Sequence, residues 1–249
     1  LLGVSRGRCR PPPCGDMYEG VRRTMRIALF TETYLPHING VVTHVKILRD
    51  GLEQLGHEVL VVTADADAHH HFVEDGVLHC PAHTSKRFYN YSLSLPVSST
   101  RLKFVRDFAP DIIHIHNEFG IGMSGLLCAK ILRVPLVYTL HTMYDDYIYY
   151  IAPKPLVKAA TKVSRRYFKF IAKHSNALTG PSQKCQEYFR LTGLKKDVSV
   201  IPNAVEVDQF SPREVPEEVK ADLRERCGIR DDSMVACFVG RLGREKSVD

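Results

Sequence analysis

No apolar run in this sequence approaches the roughly 18 residues that a membrane-spanning helix needs. No secretory leader is expected from its first residues either. The opening Leu1-Leu2-Gly3-Val4-Ser5-Arg6-Gly7-Arg8 has too short an apolar core, with its basic residues on the wrong side. The seven cysteines contain no C-x-x-C pair, and no second pair follows Cys9 and Cys14 to complete a metal site. Scattered and odd in number, they read as reduced thiols of a cytosolic protein. Acidic residues are absent from Tyr147 to Gln186, where eight Lys or Arg fall. That window alone carries +8, more than the +6 of the whole chain. The basic character is therefore local, and a local basic face suggests an anionic partner. Otherwise the composition, 44% hydrophobic and 25% charged, is that of a soluble globular protein. A chain of 249 residues holds one large domain or one and a half average ones.

Residues 1–24 are rich in Arg, Gly and Pro and lack apolar periodicity, so they read as a disordered extension or a gene-model artefact ahead of Met25. From Met25 the pattern changes. Ile27 to Phe30 is an apolar run of strand length, left through Thr31-Glu32. Pro36 and Asn39-Gly40 break the chain, and Val41, Val45, Leu48, Leu52 and Leu55 then recur at helical spacing up to Gly56. A loop between a strand's carboxyl end and a helix's amino end is where open α/β sheets bind ligands. The free N–H groups and dipole of the helix favour a phosphate there.

The same alternation continues. Strands are expected over His57–Thr63, Val77–Cys80, Ile112–His116, Pro135–Leu140, Asn176–Thr179 and Val198–Ile201. Helices are expected over Ser99–Phe108, from Gly120 through Leu132, over Pro155–His174, and from a Ser182 cap to Leu191. This order implies a parallel sheet with right-handed crossovers. Asp65, Asp67 and His69 to His71 follow a strand and read as a solvated loop rather than a metal site. His114, His116 and Glu118 alternate on one side of an extended chain. They fit a polar cleft wall, hydrogen-bonded core residues or a metal triad, with the cleft preferred. Gly120, Gly122 and Gly125 match G-x-G-x-x-G, but after the fourth strand, so no dinucleotide site is read. His141 stands at a strand's carboxyl end, on the side of the opening loop.

The helix over 155–174 has two expected faces. Leu156, Ala160, Val163, Tyr167 and Ile171 form an apolar stripe; Lys158, Lys162, Arg165, Lys169 and Lys173 form a basic one. A core-packed helix with a solvated face, a face lying on anionic lipid, and a nucleic-acid face are the alternatives, and lipid is preferred. Tyr144, Tyr147, Ile148, Tyr149 and Tyr150 precede the helix and suit an interface. Beyond a linker, a helix from about Pro216 to Cys227 and a strand over Met234–Val239 look like the start of a truncated second domain.

Taken in order, several motifs resemble retaining GT-B glycosyltransferases of the family 4 type. They are Met25-Arg26-Ile27-Ala28 with Asn39-Gly40-Val41-Val42, Pro110-Asp111-Ile112-Ile113-His114-Ile115-His116, His141-Thr142, Ile201-Pro202-Asn203, and Val239-Gly240-Arg241-Leu242 with Glu245-Lys246. Thr31 to Val41 and the His141–Tyr147 run are most similar to the bacterial 1,2-diacylglycerol 3-glucosyltransferase branch. The resemblance implies a Rossmann-like parallel sheet flanked by helices over 25–205, the acceptor side. Residues 206–249 become a linker and the beginning of a nucleotide-sugar domain. It implies hexose transfer, with retention, from a nucleotide sugar such as UDP-glucose to a lipid such as diacylglycerol. Asn39, Gly40, Arg241 and Lys246 take the donor phosphates; His141 is the catalytic cleft residue; His116, Glu118 and Tyr144 lie on the acceptor side. No cofactor and no catalytic metal are implied, and no nucleic-acid partner. The location implied is the inner face of the cell membrane, bound peripherally through the basic helix. The linker departs from the family's Asn-Gly-Val-Asp, reading Asn203-Ala204-Val205-Glu206, and the family's donor-sugar Glu motif falls beyond residue 249. The 249-residue chain alone is therefore expected to be inactive. A non-catalytic lipid- or partner-binding α/β module, and a transferase with a soluble acceptor, are the alternatives.

Overall fold

The computed structural model describes residues 23–85, 91–143, 145, 148, 153–205, 215–230 and 232–240. Tyr144, Arg241, Lys246, three of the interface tyrosines and nearly all of the 1–24 extension lie outside them.

The described residues contain ten strands: β1 (Arg26–Thr31), β2 (Glu58–Asp65), β3 (Phe72–Glu74), β4 (Val77–Pro81), β5 (His83–Ser85), β6 (Tyr91–Leu93), β7 (Ile112–Ile115), β8 (Leu136–Thr139), β9 (Ala177–Gly180) and β10 (Ser199–Val200). The helices are α1 (Gly40–Gln54), α2 (Ser99–Phe108), α3 (Gly120–Leu132), α4 (Val157–His174), α5 (Gln183–Leu191) and α6 (Glu217–Arg226). Eight strands form one sheet in the order β10-β9-β8-β7-β1-β2-β4-β3. All neighbours are parallel except β3, which runs antiparallel to β4.

β1 is central because its apolar run serves both faces. Ile27 and Leu29 enter one core with Val59, Val61 and Val77, covered by Val45 of α1. Ala28 and Phe30 enter the other, larger core with Ile113, Ile115 and Tyr138, covered by α2, α3, α4 and α5. Alternation along a strand buried on both faces gives this division. The sheet reverses its winding between β1 and β7, which opens a crevice at their carboxyl ends.

Five expectations need correcting. β3 was not foreseen; Asp75 and Gly76, with φ of 47° and 73°, make the tight turn that pairs it with β4. Two residues with positive φ suit the primed hairpin turn that matches strand twist, and Asp-Gly is its sequence signal. The β5–β6 ribbon was likewise unforeseen. β10 is only two residues long where four were expected. Ser182 has the extended backbone of an N-cap, but its side chain makes no capping hydrogen bond. Residues 234–239 form no strand. Met234 is 99% and Val239 90% exposed, and no described segment offers the ladder that a strand's N–H and C=O groups require.

The α3 glycines are packing residues. A Cβ on Gly122 would lie 1.6 Å from the Asn117 carbonyl oxygen, and one on Gly125 would lie 2.5 Å from Ile115 Cγ2 and 2.9 Å from the Phe30 ring. Glycine lets α3 settle directly on β1 and β7, which gives G-x-G-x-x-G a structural reason here.

Candidate active site

Four loops meet at the crevice. The loop after β1 is held by Asn117, whose Oδ1 accepts from Thr31 Oγ1 (3.0 Å) and from the Glu32 backbone N–H (2.8 Å). Glu32 turns inward. Its Oε2 accepts from the Ile121 N–H at the start of α3 (2.7 Å), and its Oε1 from the Ser94 N–H (3.0 Å). Burial raises its carboxyl pKa from 4.5 to about 6, against the pull of those two N–H groups and Arg101. Asn39 caps α1: Oδ1 accepts from the N–H groups of Val41 and Val42, each at 3.0 Å. Two of the helix's free amides are thus already satisfied by the protein. Gly40 is exposed, and a Cβ there would meet nothing within 4 Å, so its lack of a side chain is not required by packing.

One turn into α1, His44 faces the ends of β7 and β8. His116 follows β7, and its Nδ1 lies 3.1 Å from Nε2 of His141, which follows β8. The His44 ring is 4.7 Å from that of His141, edge-on, and 5.5 Å from that of His116. His44 Nδ1 is 2.9 Å from Oδ1 of Asn203, in the segment after β10. His114 is one pleat behind His116, with ring centroids 4.1 Å apart. Its Nε2 is 2.6 Å from Thr139 Oγ1, which is 2.5 Å from Thr179 Oγ1.

All four imidazoles are held neutral at pH 7. Burial pushes His114 and His141 down to about 3, with further lowering of His114 by His44 and His141, and of His141 by His44. Burial also lowers His116 strongly and His44 less, the latter opposed by its bond to Asn203. A neutral imidazole has one donor and one acceptor nitrogen, so His141 can accept a proton or a hydrogen bond on the face that His116 does not use.

Among the expected site residues, the fold brings together His116 and His141, with His44, one turn after the Asn39-Gly40 helix start, beside them. Glu118 is 2% exposed and accepts at Oε1 from Tyr138 Oη at 2.7 Å, so it braces the β7 loop from beneath. His44 and Asn203 were not foreseen as site residues. His44 stands beside the apolar stripe of α1, where a polar residue gives no periodic signal.

The basic residues of α4 lie on a separate element. Lys158, Lys162, Arg165 and Lys169, joined by Arg166, line an open groove of about 430 Å³ closed by Leu191 and Thr192. Arg165 is paired with Asp145 (Nη2–Oδ2 2.6 Å), and Lys169 Nζ donates to the Thr192 carbonyl (2.7 Å). Lys158, Lys162 and Lys173 are exposed. The expected apolar stripe is only half right. Phe168, Ile171 and Ala172 are the buried residues of α4, while Leu156 and Val163 are 56% and 69% exposed. An 18-residue helix is about 27 Å long and the four-residue strands beneath it span about 13 Å, so its first turns overhang the sheet.

Residues 38–209 match the sequence profile of Glycosyltransferase Family 4. The chain belongs to that family. This family 4 chain is 36% identical, over 234 aligned residues, to the alpha-monoglucosyldiacylglycerol synthase of Acholeplasma laidlawii, with 90% of the chain and 57% of the relative covered. It is 28% identical to the Streptococcus pneumoniae protein of the same name, covering 90% of the chain and 50% of the relative. The chain thus spans about half the length of the curated relatives it matches. Its fold is similar to the catalytic domain of starch synthase IV from Arabidopsis thaliana, solved with ADP and acarbose. The TM-score is 0.51 at 16% identity, over 85% of this chain and 61% of that one.

Proposed function

We propose that this chain is the acceptor-side half of a retaining GT-B hexosyltransferase that moves glucose from UDP-glucose to diacylglycerol. The observation that carries the reading is the meeting of the Gly40 helix start and the neutral His141 imidazole at one switch point. It occurs in a chain 36% identical to an alpha-monoglucosyldiacylglycerol synthase. Residues 25–205 form the acceptor-side domain, and 206–249 lead into the nucleotide-sugar domain.

In this reading the donor diphosphate approaches Asn39 and Gly40 from above the open end of α1. Arg241 and Lys246 neutralise the departing nucleoside diphosphate, the charge whose stabilisation lowers the barrier most. His141 orients the acceptor hydroxyl. His116 acts through His141, by fixing which of its nitrogens carries the proton, while Glu118 and Tyr144 shape the acceptor side. The two-carboxylate scheme of glycosidases does not apply, and no metal takes part in the transfer. Half of such an enzyme lacks most of the donor pocket, so the 249-residue chain alone is inactive in this account.

The overhanging end of α4 suits an anionic membrane surface. Its lysines face lipid phosphate while Leu156 and Val163 reach the acyl boundary. No helix among the described residues is long and apolar enough to cross a membrane, and the proposed location is peripheral, on the inner face of the cell membrane. Sedimentation of the chain with anionic and with neutral vesicles tests this. Binding that needs anionic lipid and weakens when Lys158, Lys162, Arg165 and Lys169 are changed to Gln supports it; binding unaltered by those changes refutes it.

A further inference from the structure

We propose that His44, His116 and His141 form a binding site for a divalent transition metal of borderline softness, with zinc as the type case, which occupies the crevice without taking part in glycosyl transfer. One nitrogen from each residue lies within 4.8 Å of the other two. The three come from separate elements (α1 and the segments after β7 and β8), so their spacing is set by the fold. Three imidazoles with an open fourth position form a recurrent zinc donor set. With no carboxylate among the three, they offer little to magnesium or calcium, which prefer oxygen ligands.

Two further observations point to a ligand here. His116 is 1% exposed, and its Nε2 has no hydrogen-bond partner among the described residues. An unmet buried imidazole nitrogen is costly, so this ring has a reason to take a further partner. The His44 Nδ1 already meets Asn203 Oδ1 at 2.9 Å, the kind of support that holds a metal-ligating ring in place, and this leaves Nε2 as its available nitrogen. His44 and His141 are only half-buried, so solvent reaches the site. The inference rests on this geometry and not on the proposed reaction.

The test is calorimetric titration of zinc chloride into the 249-residue chain, with magnesium chloride as control. Saturable one-to-one zinc binding and no magnesium binding are expected. His44→Ala should abolish that binding, and Asn203→Ala, which removes no ligand, should weaken it by about 10-fold to 100-fold. A chain with His69, His70 and His71 all changed to Ala should bind as the parent does. Cobalt(II) in place of zinc should give the visible absorption of a tetrahedral site, lost with His44→Ala. No saturable zinc binding, or binding that survives His44→Ala but not the triple change, overturns the proposal. Either result leaves the glycosyltransferase reading standing, since that is judged by transfer without metal.

Discussion

Replacing Gly40 with alanine separates what the fold needs from what a donor needs. A Cβ at Gly40 meets no atom within 4 Å, and Gly40 does not have a positive φ. The substitution therefore introduces neither clash nor strain. Stability should be unchanged or should rise by less than about 1 kcal/mol, because alanine loses less backbone entropy than glycine on folding. If a diphosphate approaches this backbone, the methyl group takes its place. The loss is then one charge-assisted hydrogen bond, about 1.5–3 kcal/mol, or roughly 10-fold to 150-fold in kcat/KM. Thermal unfolding of the 249-residue chain gives the first quantity. Glucose transfer by a chain carrying a complete second domain gives the second. Full activity in Gly40→Ala would remove Gly40 from the donor site, and a fall in Tm would show that the space above it is not open.

Three further outcomes follow from the same contacts. Gly125→Ala places a methyl group against Ile115 and Phe30 and should destabilise the chain by about 1–3 kcal/mol in urea unfolding, the usual cost of overpacking. Glu32 has a folded pKa raised from 4.5 to about 6, so the native state holds this proton more tightly than the unfolded state. Its contribution to stability is therefore greatest below pH 4.5 and is lost as pH rises through about 6, by about 2 kcal/mol. Glu32→Gln should remove that slope, though it also leaves one of the two N–H donors unmet. In the vesicle assay, Lys158→Gln with Lys162→Gln should weaken binding by about thirtyfold, taking about 1 kcal/mol for each lysine near the surface. Arg165 should contribute less, because Asp145 already holds it.

The fold was legible where one physical signal dominated. β1 could be read directly from its continuous apolar run, and α2 spans Ser99–Phe108 as expected. The face of α4 was misread because periodicity reports which side of a helix is apolar, but not how far the sheet extends beneath it. Residues 234–239 have strand composition but no described neighbour, and composition cannot supply a partner. The Asp75-Gly76 turn carries its own sequence signal, an Asp-Gly pair between two short strands. In the crevice, His116 and His141 could be found because both end apolar strands. His44 could not, since it lies inside a helix; Asn203 belongs to the Ile201-Pro202-Asn203 motif, but its place beside His44 could not be read, since only the tertiary fold brings the two within 2.9 Å. Within the G-x-G-x-x-G match, Gly122 and Gly125 serve close packing of α3.

The central claim is that this crevice is the acceptor side of a lipid glucosyltransferase. The most direct measurement supplies labelled UDP-glucose and diacylglycerol in anionic vesicles to a chain that continues through a complete nucleotide-sugar domain. The account predicts a glucosyl diacylglycerol with the donor's anomeric configuration, lost with His141→Ala, and no product from the 249-residue chain alone. Transfer with inverted configuration, transfer to a soluble acceptor but not to diacylglycerol, or turnover by the 249-residue chain alone would contradict it.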